Sequence, residues 1–302
     1  MTASPPEAVP GLFAHDSMLW RRLARLGAAH GPAWFVQYSP PLIGLCAAIA
    51  LPRSRRQVSA NLTRIRGPVG RLRGIQDVAE TFASYAGCIA EVLSNGSKNA
   101  DLPDLEVTGR PHMEAAIKKG KGVVVVTAHT AGWEIVGPVF RKHRGLDVVM
   151  VMEAERDGRA RDLQDNLRRG TGLEVAHVGT DPFASLPFLR RLRDGAAIAI
   201  QIDRVPGGMR GIPVRMFGGS HEVPEGPLRL AQLSGAPIVP IFCARLGYRS
   251  YFAEVFEAMH VPRRPGPGEV EASAQKMADA MSDFVGRHPT QWFNFGDHMP
   301  AR

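Results

Sequence analysis

The chain has 302 residues, of which 44% are hydrophobic, 22% charged and 7% aromatic. This composition excludes collagen-like, low-complexity and disordered chains, and the length predicts one or two globular domains. The formal net charge is +8, and the first hundred residues hold eleven Lys or Arg against five Asp or Glu. The positive charge is therefore concentrated towards the N-terminal end, which favours a partner that carries phosphate.

The cysteines and histidines predict neither a disulfide framework nor a structural metal site. Cys46, Cys88 and Cys243 are an odd number and lie far apart, without a CxxC pair, which favours a reducing compartment. The ten histidines are scattered without zinc-site spacing. The first twenty residues do not resemble a secretory signal, so we expect the chain to stay in the cytoplasm.

An uncharged stretch at residues 31–52 is a candidate membrane-surface segment. It reads GPAWFVQYSPPLIGLCAAIALP, and its prolines at 32, 40, 41 and 52 are expected to break it into pieces too short to span ~30 Å of hydrocarbon. Trp34, Phe35 and Tyr38 favour the headgroup layer. We therefore expect this stretch to lie on a membrane, with a buried helical hairpin of a soluble protein as the alternative.

Arginines follow this stretch without any acidic residue among them. They are Arg53, Arg55, Arg56, Arg64, Arg66, Arg71 and Arg73. Such a run attracts phosphate, of nucleic acid or of anionic lipid, with roughly 1 kcal/mol per Arg near an anionic bilayer. The adjoining apolar stretch favours lipid. A nucleic-acid-binding protein is the weaker alternative, because no nucleic-acid motif occurs in the sequence.

The chain is expected to have two parts. Apolar residues recur at three- and four-residue steps from 53 to 95, with breaks at Gly67-Pro68 and Asn95-Gly96, so residues 1–100 are predicted to form an N-terminal helical, membrane-surface region. Beyond residue 104, short β-branched runs alternate with helical patterns. The expected strands are 105–107, 123–127, 148–152, 173–178, 196–202 and 237–242, and the expected helices are 113–119, 132–143, 159–169, 183–193 and 227–233. This alternation predicts that residues 101–302 form an α/β catalytic domain with a mixed, largely parallel sheet flanked by helices.

A histidine and a glutamate follow the strongest expected strand. His129 lies two residues beyond strand 123–127, and Glu134 lies five residues further on. On one helix they would be about 140° apart, but with the strand ending near Thr127 and the helix starting near Gly132 they can face each other across the turn. A carboxylate in that place would hold the imidazole in one tautomer. The spacing therefore favours His129 as a general base, with a structural histidine at a strand–helix turn as the alternative.

The segment around His129 also carries a family motif. The block VVVVTAHTAGWEIVG, residues 123–137, resembles the catalytic block of the bacterial lipid A biosynthesis acyltransferases, the lauroyl and myristoyl transferases, which include actinobacterial acyltransferases of mannosylated phosphatidylinositol. The usual family pattern is HxGNWE. This chain keeps His129, Trp133 and Glu134 but has Ala131 and Gly132 where Gly and Asn are usual. The departure alters the turn more than the chemistry.

Further segments resemble the same family, in order, over residues 55–298. They are Asn61-Leu62 with Glu91, Arg168 ahead of Gly172-Leu173, 192–195 followed by Asp203-Arg204, 213–218, 223–227, 230–240 and Pro289-Thr290-Gln291-Trp292. The resemblance implies a glycerolipid acyltransferase-like fold. Ligands of open α/β sheets bind beyond the carboxyl ends of the strands, where His129 is expected.

The resemblance implies transfer of a fatty acyl group from a thioester of acyl carrier protein or coenzyme A to a hydroxyl or amine of a membrane lipid or glycolipid. It implies that His129 deprotonates the acceptor, that Glu134 orients His129, and that no acyl-enzyme or further cofactor is needed. The three cysteines lie outside the motifs and no GxSxG is present, which agrees with a direct attack. We therefore expect a monomeric enzyme, peripheral or monotopic, on the cytoplasmic face of the bacterial inner membrane.

Arg168, Asp203 and Arg204 are the candidate substrate-binding residues. The acceptors of the family carry phosphates, which guanidinium groups bind bidentately, and Asp203 is expected to fix Arg204 or to contact the substrate. Structural ion pairs are the alternative for all three. A hydrolase that activates water with the same His129 and Glu134 is the alternative to a transferase. No motif selects the acceptor or the acyl chain length.

Overall fold

The computed structural model describes residues 26–27, 31–95, 103–134, 137–138, 146–153, 174–178 and 185–296. Three consecutive helices form an N-terminal layer, and they are α1 (Ala33–Ala50), α2 (Pro52–Arg66) and α3 (Arg71–Asn95). The chain breaks expected at Gly67-Pro68 and after Asn95 coincide with the ends of α2 and α3. Arg66 and Arg73, on either side of the first break, both bind the buried carboxylate of Asp77.

Helix α1 runs through Pro40 and Pro41, so the breaks expected at these prolines are wrong. Each proline removes one hydrogen bond of the helix, but the packing of α1 on α3 compensates for that loss. Gly44 lies so close to α3 that a Cβ atom there would be 2.4 Å from the carbonyl oxygen of Phe82. The side of α1 that faces α3 is buried at four-residue steps, at Val36, Pro40, Gly44 and Ala48.

The opposite side of α1 is exposed and apolar. Its exposed large side chains include Trp34, Phe35, Tyr38, Leu42, Leu45 and Ile49. Within the described part of the chain, no single helix is long and apolar enough to cross a membrane. Trp34–Ala50 and Pro52–Arg66, bent by 99° against each other, together meet the length and composition of a broken span.

A seven-stranded sheet forms the centre of the rest of the chain. Its strands are β1 (Asp104–Thr108), β2 (Val123–Thr127), β3 (Val148–Glu153), β4 (Glu174–Val178), β5 (Ala197–Gln201), β8 (Ile238–Gly247) and β9 (Ser250–Val255), in the spatial order β1-β9-β8-β2-β5-β3-β4. All neighbours are parallel except the β8–β9 pair. The predicted α/β fold with a mixed, largely parallel sheet is thereby confirmed.

Four elements were absent from the expected list. They are the antiparallel hairpin of β6 (Gly211–Met216) and β7 (Gly219–Pro224), strand β9 and the long helix near the C-terminus. Strands β6 and β9 are buried only at alternate residues, and β7 is buried at His221, Val223 and Pro224. They therefore lack the continuous apolar runs that mark the buried parallel strands.

Helices cover both faces of the sheet. They are α4 (Arg110–Ile117), α5 (Leu186–Arg193), α6 (Gly226–Ser234) and α7 (Glu269–Arg287). Helices α5, α6 and α7 pack on one face over the main core, and α4 packs on the other. Residues 133–134 and 137–138 are helical, in agreement with the helix expected after His129, whereas the helix expected at 159–169 lies outside the described residues.

Candidate active site

The register of two neighbouring strands brings the candidate site together. Strands β2 and β5 are parallel and adjacent, and Thr127 is paired with Gln201 at their carboxyl ends. The pairing continues for one further residue, because the backbone N–H of Ile202 donates to the carbonyl of Thr127 at 2.8 Å. His129 and Asp203, each two residues beyond the last strand pair, therefore lie side by side.

His129 and Asp203 form a hydrogen-bonded pair. The Nδ1 of His129 lies 2.9 Å from Oδ1 and 3.1 Å from Oδ2 of Asp203, and the backbone N–H of His129 donates to Oδ1 at 3.3 Å. The Asp203 side chain is fully buried, while the His129 side chain is 27% exposed. Because a carboxylate accepts at Nδ1, the proton of the neutral ring lies there and Nε2 keeps its lone pair. This is the tautomer that a general base needs.

The surroundings keep Asp203 ionised. Burial by itself would raise the pKa of this carboxyl, but the charge and hydrogen bond of His129, the charge of Arg204 and the N–H of Trp292 together hold the pKa well below its ordinary value. Trp292 donates from Nε1 to Oδ2 of Asp203 at 3.0 Å. A permanent negative charge beside Nδ1 stabilises the imidazolium that forms when His129 takes a proton.

The expected pairing of His129 with Glu134 is not what the structure shows. The carboxylate at Nδ1 belongs to Asp203, and among the described contacts no hydrogen bond or ion pair joins His129 to Glu134. Glu134 lies in the first helical turn, beyond the left-handed Gly132. The chain between them turns so that the ring of Trp133 packs against His129, with centroids 5.9 Å apart. Whether Glu134 contributes to the chemistry stays a prediction.

A C-terminal segment, residues 289–295, fixes the turn that carries His129. The carbonyl of Gln291 accepts from Ala131 N–H at 2.9 Å, and Phe293 N–H donates to the His129 carbonyl at 2.8 Å. With the Trp292 bond to Asp203, this segment contacts both members of the pair. Sequence reasoning placed Pro289-Thr290-Gln291-Trp292 in a family block but gave Trp292 no role.

The same segment joins the site to the N-terminal helices. Asn61 of α2 is buried and donates to the carbonyl of Asn294 at 2.9 Å, and Thr290 donates to Glu80 of α3 at 2.9 Å. The rings of Tyr85 and Phe293 meet edge to face at 5.2 Å. The helical layer is therefore attached to the side of the sheet where His129 lies.

Arg204 lies beside the pair and is one-third exposed. Its Nη2 donates to the carbonyl of Phe293 at 3.2 Å, and its Nε is 4.0 Å from Asp203 Oδ2. No described residue accepts a hydrogen bond from Nε. The Arg204 guanidinium is thus held by the Phe293 carbonyl, and its exposed N–H groups can donate to a ligand. Arg168, the other candidate arginine, lies outside the described residues.

A second buried polar cluster supports the turn from behind. Glu91 of α3 is almost fully buried and accepts from Arg245 at 2.6 and 2.9 Å, from the backbone of Arg249 at 3.0 Å and from the Tyr251 hydroxyl at 2.8 Å. The ring of Tyr251 occupies the space in front of Gly132, where a Cβ atom would be 2.3 Å from it. Gly132 also has a φ of +83°, which favours glycine.

Gly132→Ala is expected to lower the free energy of unfolding by about 2–5 kcal/mol, since it combines left-handed strain with overlap against a buried ring. Gly120→Ala is the matched control: its φ is +65°, but nothing lies within 4 Å of the added Cβ. That variant should lose only about 1 kcal/mol, from strain. Urea unfolding of both proteins measures the difference, and equal losses would contradict the role given to Tyr251.

An apolar cavity lies on the sheet face below His129. Its lining includes Met113, Val125, Met150, Ala199 and Ile241, with Thr127, Gln201 and Trp133 nearest the carboxyl ends of the strands. The lining residues of β5 run from Ala197 to Gln201, a distance of about 13 Å. Trp133 lines the cavity and also packs against His129, so one side chain separates the cavity from the catalytic candidate.

Three of the five predicted site residues are therefore brought together. His129, Asp203 and Arg204 meet at the carboxyl ends of β2 and β5, whereas Glu134 is not the partner of His129 and Arg168 is not described. Sequence reasoning missed Gln201 in the cavity wall and the pairing of Asp203 with His129. The family block Pro289-Thr290-Gln291-Trp292 was the sequence feature that pointed to the C-terminal segment.

Comparison with known proteins gives a consistent result. Two curated relatives are similar over most of the chain, and both are named phosphatidylinositol mannoside acyltransferase. The protein of Mycobacterium tuberculosis (strain H37Rv) is 26% identical over 243 residues, 78% of this chain and 74% of the relative. The protein of Mycolicibacterium smegmatis is 25% identical over 244 residues, 78% of this chain and 76% of the relative.

Among solved structures, the 1-acyl-sn-glycerophosphate acyltransferase PlsC of Thermotoga maritima is similar to this chain, with 13% sequence identity and a TM-score of 0.36. The alignment covers 76% of this chain and 96% of the PlsC chain.

The family model described as bacterial lipid A biosynthesis acyltransferase matches residues 36–298. That match includes most of α1, the pair of His129 and Asp203 and the C-terminal segment. The chain belongs to this family of lipid acyltransferases, and it is an enzyme that transfers acyl groups.

Proposed function

We propose that this enzyme works at a membrane surface and moves a fatty acyl group from a thioester of acyl carrier protein or coenzyme A to a hydroxyl or amine of a phosphate-bearing glycolipid. The observation that carries the proposal is the apolar cavity whose wall includes Trp133, the ring that packs against His129 of the His129–Asp203 pair. A long acyl chain needs an apolar space, and its reacting carbonyl needs a base at the end of that space.

The proposed reaction is a direct attack by the acceptor. His129 Nε2 removes the proton of the acceptor hydroxyl, and the oxygen forms a bond to the thioester carbonyl carbon. The tetrahedral intermediate then collapses, the carbon–sulfur bond breaks, and the thiolate takes the proton back from His129. The products are an ester and a thiol. Asp203 stabilises the imidazolium between the two proton transfers.

Arg204 is proposed to bind the acceptor phosphate. Its guanidinium is partly exposed beside the pair, and its Nε has no acceptor among the described residues. A phosphate oxygen would bind at the exposed part of this guanidinium. The names of the two mycobacterial relatives make a mannosylated phosphatidylinositol the first acceptor to test. Arg168 and Glu134 stay proposed contributors to the same site.

Transfer and hydrolysis can be separated in one assay. The purified enzyme is incubated with palmitoyl-coenzyme A in detergent, alone or with phosphatidylinositol mannoside, a lipid A precursor or phosphatidylglycerol. We expect thiol release to depend on a glycolipid acceptor and to match the amount of acylated lipid, because a transferase site excludes water. Palmitate release at the same rate without acceptor would contradict transfer and favour the hydrolase.

The membrane surface is proposed to contact the exposed side of α1. Trp34, Tyr38 and Leu42 there are more than half exposed, and Leu72 and Ile75 at the start of α3 are exposed as well. Arginines lie beside this apolar surface, and Arg53, Arg55 and Arg56 are on the exposed side of α2. The apolar side chains would contact the acyl region of a bilayer, and the neighbouring arginines would bind the headgroups of anionic lipids.

Cys46 provides a native probe of this surface. It is exposed on α1, whereas Cys88 and Cys243 are buried. Burial raises the pKa of Cys88 to about 12 and also raises the pKa of Cys243, so a water-soluble maleimide should label Cys46 alone in the folded protein. Vesicles that contain phosphatidylglycerol should slow this labelling, because the thiol then lies at the lipid surface.

Charge variants control the vesicle experiment. Arg53→Gln with Arg56→Gln should weaken the protection given by phosphatidylglycerol vesicles. Arg263→Gln with Arg264→Gln removes the same charge from an exposed loop beside α6 and should leave the protection unchanged. Equal labelling rates of Cys46 with and without vesicles would contradict the proposed membrane surface.

A further inference from the structure

Gln201 places a side-chain amide in the largely apolar wall of the cavity. Gln201 is the last residue of β5, and it lines the cavity on the same side of the strand as Ala197 and Ala199. Its amide Nε2 is buried, and no described residue accepts a hydrogen bond from it. An unpaired buried amide of this kind destabilises the fold. An apolar residue in this position would avoid that cost, so the amide is suited to a ligand.

The position of Gln201 relative to His129 determines which ligand atom can accept a hydrogen bond from the Gln201 amide. Asp203 follows two residues later, and its carboxylate holds His129. Gln201 therefore lies about 7 Å deeper along the strand direction than the pair, at the level where the cavity begins. We consider a fatty acyl chain in the cavity, with its thioester next to His129. The thioester carbonyl oxygen is then the hydrogen-bond acceptor of the ligand that lies nearest to the depth of Gln201.

We infer that the Gln201 amide donates a hydrogen bond to the thioester carbonyl oxygen and stabilises the negative charge that forms there. This inference rests on the proposed acyl transfer. When the acceptor oxygen bonds to the carbonyl carbon, the π electrons move to the carbonyl oxygen beside Gln201, and the acceptor proton moves to His129. Collapse restores the carbonyl and expels the thiolate, which takes that proton. A donor already fixed beside this oxygen needs no reorganisation.

Gln201→Met tests the assignment, because it keeps the length of the side chain and removes the N–H donor. With palmitoyl-coenzyme A and phosphatidylinositol mannoside we expect kcat to fall by about 10²–10³-fold. Binding of hexadecyl-coenzyme A, a thioether that fills the cavity but has no carbonyl, should be unchanged. Gln201→Glu should also lose kcat, since its carboxylate repels the developing charge. Gln232→Met, the same change on the exposed surface of α6, should keep the activity of the natural enzyme.

Two results would overturn the role of Gln201. One is an unchanged kcat in whichever of the Met and Glu variants folds. The other is a loss of thioether binding in proportion to the loss of kcat, which would show that Gln201 only shapes the cavity. If the natural enzyme hydrolyses palmitoyl-coenzyme A and acylates no lipid, acyl transfer fails. Gln201 is still tested in that case, because hydrolysis forms the same negative charge on the carbonyl oxygen.

Discussion

Asp203→Asn is expected to lower kcat by about 10²–10⁴-fold, as much as the loss of the base itself, because it holds the catalytic histidine in the wrong tautomer. Oδ2 of Asp203 accepts the N–H of Trp292 at 3.0 Å, and Oδ1 lies 2.9 Å from His129 Nδ1. Asparagine has one oxygen, and Trp292 can only donate. The Trp292 N–H at 3.0 Å and the charge of Arg204 both lie on the Oδ2 side, and together they attract the oxygen more strongly than the backbone N–H of His129 at 3.3 Å. The oxygen therefore stays with Trp292, and the NH₂ group turns to His129. The ring must then accept at Nδ1 and carry its proton on Nε2, where it cannot act as a base.

A second substitution tests this explanation directly. In Asp203→Asn combined with Trp292→Phe, the amide is free to turn its oxygen towards the backbone N–H and the Nδ1–H of His129. Activity should then recover roughly tenfold over Asp203→Asn alone, the value of one hydrogen bond of about 1.4 kcal/mol. Trp292→Phe should give no recovery in a Glu134→Gln background. Recovery in both backgrounds, or in neither, would contradict the proposed tautomer control.

His129→Ala is expected to lower the rate of acyl transfer by about 10²–10⁴-fold, the usual contribution of a positioned general base. Thiol release from palmitoyl-coenzyme A and acylated lipid should fall together, since both depend on the same proton transfer. Circular dichroism and gel filtration serve as controls for the fold. A folded His129→Ala protein that transfers acyl groups at a near-natural rate would remove His129 from the mechanism.

The same variant should change the pH dependence of stability. The pKa of Asp203 is lower in the folded protein than its unfolded value of about 3.9, so the ionised carboxylate stabilises the fold above that pH. This contribution is lost as the pH falls towards the folded pKa. His129 is the largest of the causes that lower it, so His129→Ala should raise the folded pKa. The difference between unfolding free energies at pH 7 and pH 3, measured in urea, should therefore be smaller in the variant.

The sequence by itself determined the fold class and the position of the proposed base. The continuous apolar run of β2 and the motif that follows it are local features, and they place His129 at the carboxyl end of a buried strand. The same local features led to an error in α1, where prolines at 40 and 41 predicted breaks. Helix α1 continues there because it packs on α3, and that packing is not visible in the sequence.

Only the tertiary structure decided which carboxylate serves His129. Sequence spacing favoured Glu134, five residues away, but the partner is Asp203, which follows β5. In the chain, β3 and β4 lie between β2 and β5. Apolar periodicity shows which residues are buried, and it does not show which strands become neighbours. The order β2-β5-β3 places the ends of β2 and β5 side by side, and Trp292 reaches the pair from the far end of the chain for the same reason. Contacts between distant residues depend on strand order and register, which the packing of the whole molecule sets.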